Sequence, residues 1–250
     1  MLLFYIRHGD PIYNPDQLTP LGERQAESVA HRLALFGVDE IYSSTSTRAM
    51  QTAQPTCELL GKKLTTLDFL NENYLGGLKI PVTEKRSDWV WSHPEYAQIL
   101  ASRGVRNMGE EWYKHAALEQ FHFDRTIHPI NEQLDAFIAS QGYVHDPEQG
   151  LYHMTEGPSE KRIAIFAHEC MGKIVMSHLL DIPFPYYAAH FEMHTSAFTV
   201  IRFDDCALEQ DRKVPYPYAR AQVLTLSNDS HLYRDGLPLV HRYTHVREQF

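Results

Sequence analysis

"LLFYIRHGDP", residues 2–11, sets five apolar side chains in a row and then an arginine, a histidine, a glycine, an aspartate and a proline. A short continuous apolar run is the pattern of a strand buried on both faces, as in sheets covered by helices on each side. Gly9 and Pro11 end the run. The stretch predicts a central strand whose carboxyl end carries Arg7 and His8, two cation-capable side chains, followed by a reversal of the chain.

Working outward, "LTPLGERQAESVAHRLALFG" (18–37) predicts a helix, with Thr19 as cap, Pro20 at the first helical position and Gly37 as terminator. "DEIYSS" (39–44) reads as a second strand. "STRAMQTAQPTCELLG" (46–61) reads as a second helix, bent or broken near Pro55. "LTTLDFL" (64–70) is a third strand. Residues 78–107 have no clean period and suggest irregular or short helical structure, and 110–140 reads as one long helix or two. "QGYVHDPEQG" (141–150) reads as a polar loop. "KRIAIFAHE" (161–169) restores a buried strand, "CMGKIVMSHLLD" (170–181) a helix, and "TSAFTVIRF" (195–203) and "AQVLTLSND" (221–229) two late strands. Strands alternating with helices indicate a layered α/β fold with a largely parallel sheet.

The 250 residues suffice for one sizeable α/β domain, and neither a repeat nor a linker divides them. Lys and Arg total 23 against 32 for Asp and Glu, a net charge of −9. That balance argues against broad binding of nucleic acid or of an anionic membrane, so an anionic substrate needs a locally positive pocket. Cys57, Cys170 and Cys206 are odd in number and far apart, which offers neither a disulfide framework nor a Cys-rich metal site. With no signal-peptide pattern and no apolar run of membrane-spanning length, a cytoplasmic protein is expected.

In open α/β sheets functional residues gather beyond the carboxyl ends of the strands. Arg7, His8 and Gly9 follow the first strand here; Ser43, Ser44 and Arg48 follow the second; Glu72 follows the third; and His168 follows "IAIFA". Two guanidinium groups can clamp the oxygens of a phosphoryl group through forked, charge-assisted hydrogen bonds. A neutral imidazole can attack phosphorus through one ring nitrogen if a backbone acceptor holds the other, while a second histidine stabilises charge on the oxygens. A carboxyl group can protonate the departing oxygen. Together these residues describe phosphoryl transfer to His8 and then to water, with Arg7, Arg48 and His168 in the electrostatic role that a metal ion has elsewhere, so no cofactor is called for.

These segments resemble the histidine phosphatase superfamily, which contains cofactor-dependent phosphoglycerate mutases and many phosphatases. "RHGD" is similar to its Arg-His-Gly signature, "LTPLGERQA" to its Leu-Thr-x-x-Gly-x-x-Gln-Ala segment, and "SSTSTRAMQTA" to its Ser-x-x-x-x-Arg-Ala-x-Gln-Thr-Ala segment. "LNENYLG" is similar to the segment carrying the acid, and "IAIFAHE" to the strand leading to the second histidine. The resemblance implies a three-layer α/β/α sandwich forming a single catalytic domain over residues 1–250, with a helical or irregular insertion at about 78–160 over the strand ends. It makes His8 the phosphorylated nucleophile, Glu72 the proton donor, and Arg7, Arg48 and His168 the phosphate pocket. Asn14 stands at the spacing of an asparagine that touches phosphate in the mutases.

The chain departs from the family pattern in having Glu169 and Cys170 directly after His168, which places a carboxylate beside an anion pocket. Three readings follow. The first is a metal-independent phosphatase acting on a phosphorylated small molecule or phosphoprotein, and the second is a mutase, for which Lys79, Lys85, Arg86, Arg103 and Arg106 would supply extra positive charge. The third is a degenerate member that binds phosphate or a partner without turnover. The sequence leaves open whether the chain acts alone or as a homodimer. "HFEMH" (190–194) lacks the glutamate placement of a zinc-binding helix and a third ligand, so no metal is expected there.

Overall fold

A computed structural model describes residues 1–84, 86–204 and 217–238. Cys206 and Lys85 lie outside the described residues; Cys57 and Cys170 are free and buried. In chain order the elements are β1 (Leu2–Arg7), β2 (Pro11–Tyr13), β3 (Asp16–Leu18), α1 (Pro20–Phe36), β4 (Glu40–Ser43), α2 (Thr47–Leu60), β5 (Leu64–Thr66), β6 (Lys79–Thr83), β7 (Arg86–Trp89), α3 (Pro94–Leu100) and α4 (Arg103–Arg106). They continue with α5 (Phe123–Ser140), β8 (Tyr143–Asp146), β9 (Leu151–Met154), β10 (Arg162–Ala167), α6 (Glu169–Leu179), α7 (Phe184–His190), β11 (Phe198–Asp204), β12 (Tyr218–Asn228) and α8 (Ser230–Arg234). Short 3-10 turns join several of them.

The main sheet has the order β5-β4-β10-β1-β11-β12-β9-β8. Its first four strands are parallel, and every pairing from β1 to β11 onward is antiparallel. The expected parallel arrangement therefore holds for the half of the sheet whose strand ends carry the polar residues. Alternation along β1 explains the layering. Phe4 and Ile6 face Val29 and Leu33 of α1 and Ala53 and Cys57 of α2, whereas Leu3 and Tyr5 face the opposite side, with Ile174 of α6 and Leu134 of α5. Strands with apolar residues on both faces must be covered on both, and the result is an α/β/α sandwich.

Helix α1 begins and ends where the sequence predicts. Thr19 Oγ1 accepts from Gly22 N at 3.0 Å, and Gly37 closes the helix in the left-handed conformation, at φ 71°. Helix α2 runs unbroken through Pro55, contrary to expectation, because Ala49, Ala53, Thr56 and Cys57 are buried on both sides of the proline and hold the helix together. The third strand shrinks to Leu64–Thr66, as Asp68–Leu70 turns into 3-10 helix that buries Phe69 and Leu70. The region 110–140 forms 3-10 turns before a single helix, α5. The segment 141–150 is not a loop throughout: Tyr143–Asp146 is β8, paired with β9 on the outer edge of the sheet and anchored by the buried Tyr143. Residues 79–89 likewise form a hairpin, β6–β7, that the weak alternation of its mostly exposed side chains conceals.

The turn after β1 depends on two glycines in contact. A Cβ on Gly9 would stand 2.6 Å from the carbonyl oxygen of Gly22, and a Cβ on Gly22 would stand 2.2 Å from that of Asp10. Backbone cannot yield as a flexible side chain can. Replacement Gly22→Ala is expected to destabilise the fold by about 1–3 kcal/mol, as overpacking does. A urea denaturation midpoint equal to that of the parent protein would contradict this.

Candidate active site

Because β5, β4, β10 and β1 run parallel and adjacent, their carboxyl ends share one edge, and the segments that follow them meet there. His8 is 2% exposed and is held by backbone on both sides, donating from its N–H to Ala167 O (2.9 Å) and accepting at its carbonyl from Ser196 N (3.0 Å). Its ring Nδ1 lies 2.7 Å from Gly9 O. A carbonyl only accepts, so Nδ1 carries the proton and Nε2 holds a free lone pair. Burial, together with the positive charge of Arg7 and Arg48 and the neighbouring His168, keeps the ring well below the usual imidazole range and therefore neutral.

The loop around His8 is fixed by residues of both flanking helices. Thr52 Oγ1 accepts from Gly9 N at 3.0 Å while donating to Arg48 O at 2.7 Å, Gln25 Oε1 accepts from Asp10 N at 2.8 Å, and Gln51 Oε1 accepts from Leu18 N at 2.8 Å. The Gln-Ala and Arg-Ala-x-Gln-Thr-Ala segments are thus support for the loop that carries His8.

His168 stands at the end of β10 with its side chain fully buried, and its ring centroid lies 5.2 Å from that of His8. Arg48 Nη2 donates to its Nδ1 at 2.9 Å, so the ring proton sits on Nε2, which donates to Ser44 Oγ at 2.9 Å with Ser46 Oγ at 3.2 Å. Burial and the charges of Arg48 and Arg7 keep this ring neutral too. Arg48 also meets Asp16 Oδ1 at 2.7 Å and Glu72 Oε2 at 3.1 Å. These carboxylates explain how a cation is tolerated in the first turn of α2, where the helix dipole opposes it.

Arg7 donates to Met193 O and lies 3.5 Å from Glu169 Oε2. Glu169 in turn meets Lys173 Nζ at 3.1 Å. Burial opposes ionisation of Glu169, yet a hydrogen bond from Glu192 and the charges of Arg7 and Lys173 hold its carboxyl below the usual range. The Nε atoms of Arg7 and Arg48 are both buried with no hydrogen-bond partner among the described residues. Two orphaned cationic donors beside a free imidazole lone pair suit a tetrahedral oxyanion. Arg7, His8, Glu72, Glu169, Trp89 and Trp91 line a cleft of about 70 Å³ at this point.

The structure thus brings together Arg7, His8, Arg48, Glu72 and His168. It does not bring in Asn14, which is exposed at the turn of the β2–β3 hairpin and does not line the cleft. One participant escaped the sequence: Asp16 sits on a three-residue strand with no periodic signal. The indole pair Trp89–Trp91, stacked 5.2 Å apart, comes from the segment with the poorest pattern, whose aromatic residues the sequence offers as packing or as the lining of an entrance. Lys173, 2% exposed, did leave a signal: it is a lysine inside the apolar run of α6.

Residues 3–117 match the sequence pattern of the histidine phosphatase superfamily (branch 1). Over 86 residues the chain is 34% identical to a probable phosphoglycerate mutase, GpmB, of Yersinia enterocolitica; the match takes in 31% of this chain and 40% of that protein, so the chain spans well under half of the relative's length. Among solved structures, it is similar to phosphoserine phosphatase of Entamoeba histolytica in complex with 3-phosphoglyceric acid, with TM-score 0.54 and 19% identity over 92% of this chain and 98% of that one. It is equally similar to mycobacterial glucosyl-3-phosphoglycerate phosphatase, with TM-score 0.55 and 18% identity over 90% and 98%. At those identities the likeness is one of fold. Over residues 3–117 this chain is thus similar in sequence to the histidine phosphatase superfamily, and its α/β/α architecture is shared with these solved phosphatases.

Proposed function

We propose that the chain is a phosphatase that hydrolyses a phosphate monoester through a phosphohistidine at His8. The observation that carries this reading is the neutral His8 ring, its Nδ1 tied to Gly9 O, with the ring of His168 5.2 Å away and the charges of Arg7 and Arg48 acting on it. In the first step Nε2 bonds to phosphorus, the bond to the ester oxygen breaks, and the carboxyl of Glu72 supplies the proton that this oxygen takes up. In the second step water attacks phosphorus, Glu72 takes back a proton, and the N–P bond breaks to restore the lone pair of His8. Atoms and charge balance without a co-reactant other than water.

Arg48 couples binding to acid catalysis. Its guanidinium is shared between Asp16, Glu72 and His168, and a phosphoryl dianion would compete for the same donors. Once the dianion occupies them, Arg48 no longer holds the Glu72 carboxyl, which is left free to meet the ester oxygen. The arriving anion would also offset part of the arginine charge that, after burial, disfavours a cation on His168.

Hydrolysis is favoured over mutase action by where the basic residues lie. Among the described residues Arg103 and Arg106 are exposed and do not line the cleft, Arg86 pairs with Asp88, and the ammonium of the exposed Lys79 lies over the Trp89 ring at 4.4 Å, so of these four cations only Lys79 borders the cleft wall where a retained bisphosphate would need added positive charge. The pairing of Glu169 with Arg7 and Lys173 speaks against a degenerate site, because that carboxylate is neutralised where it stands.

Replacement His8→Ala is expected to abolish turnover of an aryl phosphate and the acid-labile phosphoenzyme, and Glu72→Gln to lower kcat by about 10²- to 10⁴-fold. Wild-type turnover in His8→Ala would overturn the assignment. Imidazole nitrogen NMR is expected to show His8 protonated on Nδ1 and His168 on Nε2 at pH 7. Since both rings are held below 6.5, the ordinary value, the neutral signals should persist as the pH falls through 6.5 and change only at more acid pH. Cationic rings at pH 7 would contradict the mechanism.

A further inference from the structure

A second cluster of ligating side chains lies at the far end of α6, about 14 Å along the helix from Glu169 at 1.5 Å per residue. Asp135 of α5, His145 of β8 and His178 of α6 each turn one ligand atom to a common point, all within 4.8 Å of one another. Asp135 Oδ1 is 2.8 Å from His178 Nε2 and 3.2 Å from His145 Nδ1. Among the described residues no lysine or arginine nitrogen pairs with Asp135 or Asp181.

We propose that Asp135, His145 and His178 form a binding site for a divalent transition ion of the zinc class, separate from the phosphoryl site. For a tetrahedral ion with bonds of about 2.0–2.1 Å, neighbouring donors stand about 3.3 Å apart. The two Asp–His edges are already near that separation, and the His–His edge needs a closure of at most about 1.5 Å. Two imidazoles and one carboxylate are a borderline donor set, which favours zinc, cobalt or nickel over calcium or magnesium.

The surroundings have the features of a built site. His145 has a side chain only 5% exposed, and its ring is fixed by stacking on Tyr152, 4.8 Å between centroids and 15° between planes. Its other nitrogen, Nε2, lies 3.1 Å from Asp181 Oδ1. A histidine that binds metal through one nitrogen commonly donates from the other to a carboxylate, which sets its tautomer and strengthens it as a ligand. The cluster opens on a cavity of about 270 Å³ that Asn131 also lines. Asn131 is four residues before Asp135, so the two share one face of α5. Its Oδ1 is buried with no partner among the described residues. A water completing the ion's coordination from the cavity side would give that oxygen a donor.

The consequence is structural. β8 is the outermost strand of the sheet, and an ion held by α5, β8 and α6 would clamp that edge to the helical layer. Titration of chelator-stripped protein with Co²⁺ is expected to give one ion per chain, with the intense visible bands of four-coordinate cobalt, and Zn²⁺ should displace it. His178→Ala and, separately, the near-isosteric Asp135→Asn should lose the bands while circular dichroism stays that of the parent. Asp181→Asn should weaken the ion about 10- to 100-fold. If His178→Ala fails to fold, Asp135→Asn decides. Absence of the bands in the parent protein, or their survival in Asp135→Asn, would overturn the proposal, and neither result bears on hydrolysis at His8.

Discussion

Two guanidinium groups held largely out of water, those of Arg7 and Arg48, are the constraint around which this end of the molecule is arranged. Buried charge is costly unless it is paired and hydrogen-bonded, and removing one partner of such a pair typically costs about 3–5 kcal/mol. Here Asp16 and Glu72 meet Arg48, and Glu169 meets Arg7 with Lys173 behind it. Because a guanidinium can only donate, its contact with His168 also decides which nitrogen of that ring is bare. One pair of cations therefore dictates the acids around it and the tautomer of one histidine, and adds to burial in keeping both rings neutral.

The fold is what allows those groups to meet. Four adjacent parallel strands deliver their ends to one edge, and the close contact between Gly9 and Gly22 holds the loop after β1 against α1. Backbone holds most of the geometry of His8, through Gly9 O, Ala167 O and Ser196 N. Such groups carry no flexible side chain, which is how a site keeps its shape without bound substrate. Helix α6 then links two chemistries, with the anion site at its amino end and a cluster of imidazole and carboxylate groups at its carboxyl end.

The mouth of the cleft is of a different character. Trp89 and Trp91 come from a hairpin and 3-10 turn outside the main sheet, and Trp91 is buried against Phe184. The cleft is thus walled on one side by the sheet edge and on the other by aromatic residues from the segment between β5 and α5.

What the sequence alone determined was the set of elements whose chemistry is local. Apolar runs named β1, β4 and β10, capping residues bounded α1, and the position of Arg7, His8, Arg48, Glu72 and His168 just beyond predicted strands marked the site. Each of those signals depends on neighbours within a few residues. Only the tertiary structure decided that Asp16 and not Asn14 faces the site, that β8 and β9 are strands on the sheet's edge, and that α2 passes unbroken through Pro55. The reason is the same in each case: the deciding partner, whether a guanidinium, a neighbouring strand or the opposing face of the sheet, is remote along the chain. Asp135, His145 and His178 likewise belong to three separate elements, and packing alone makes them neighbours.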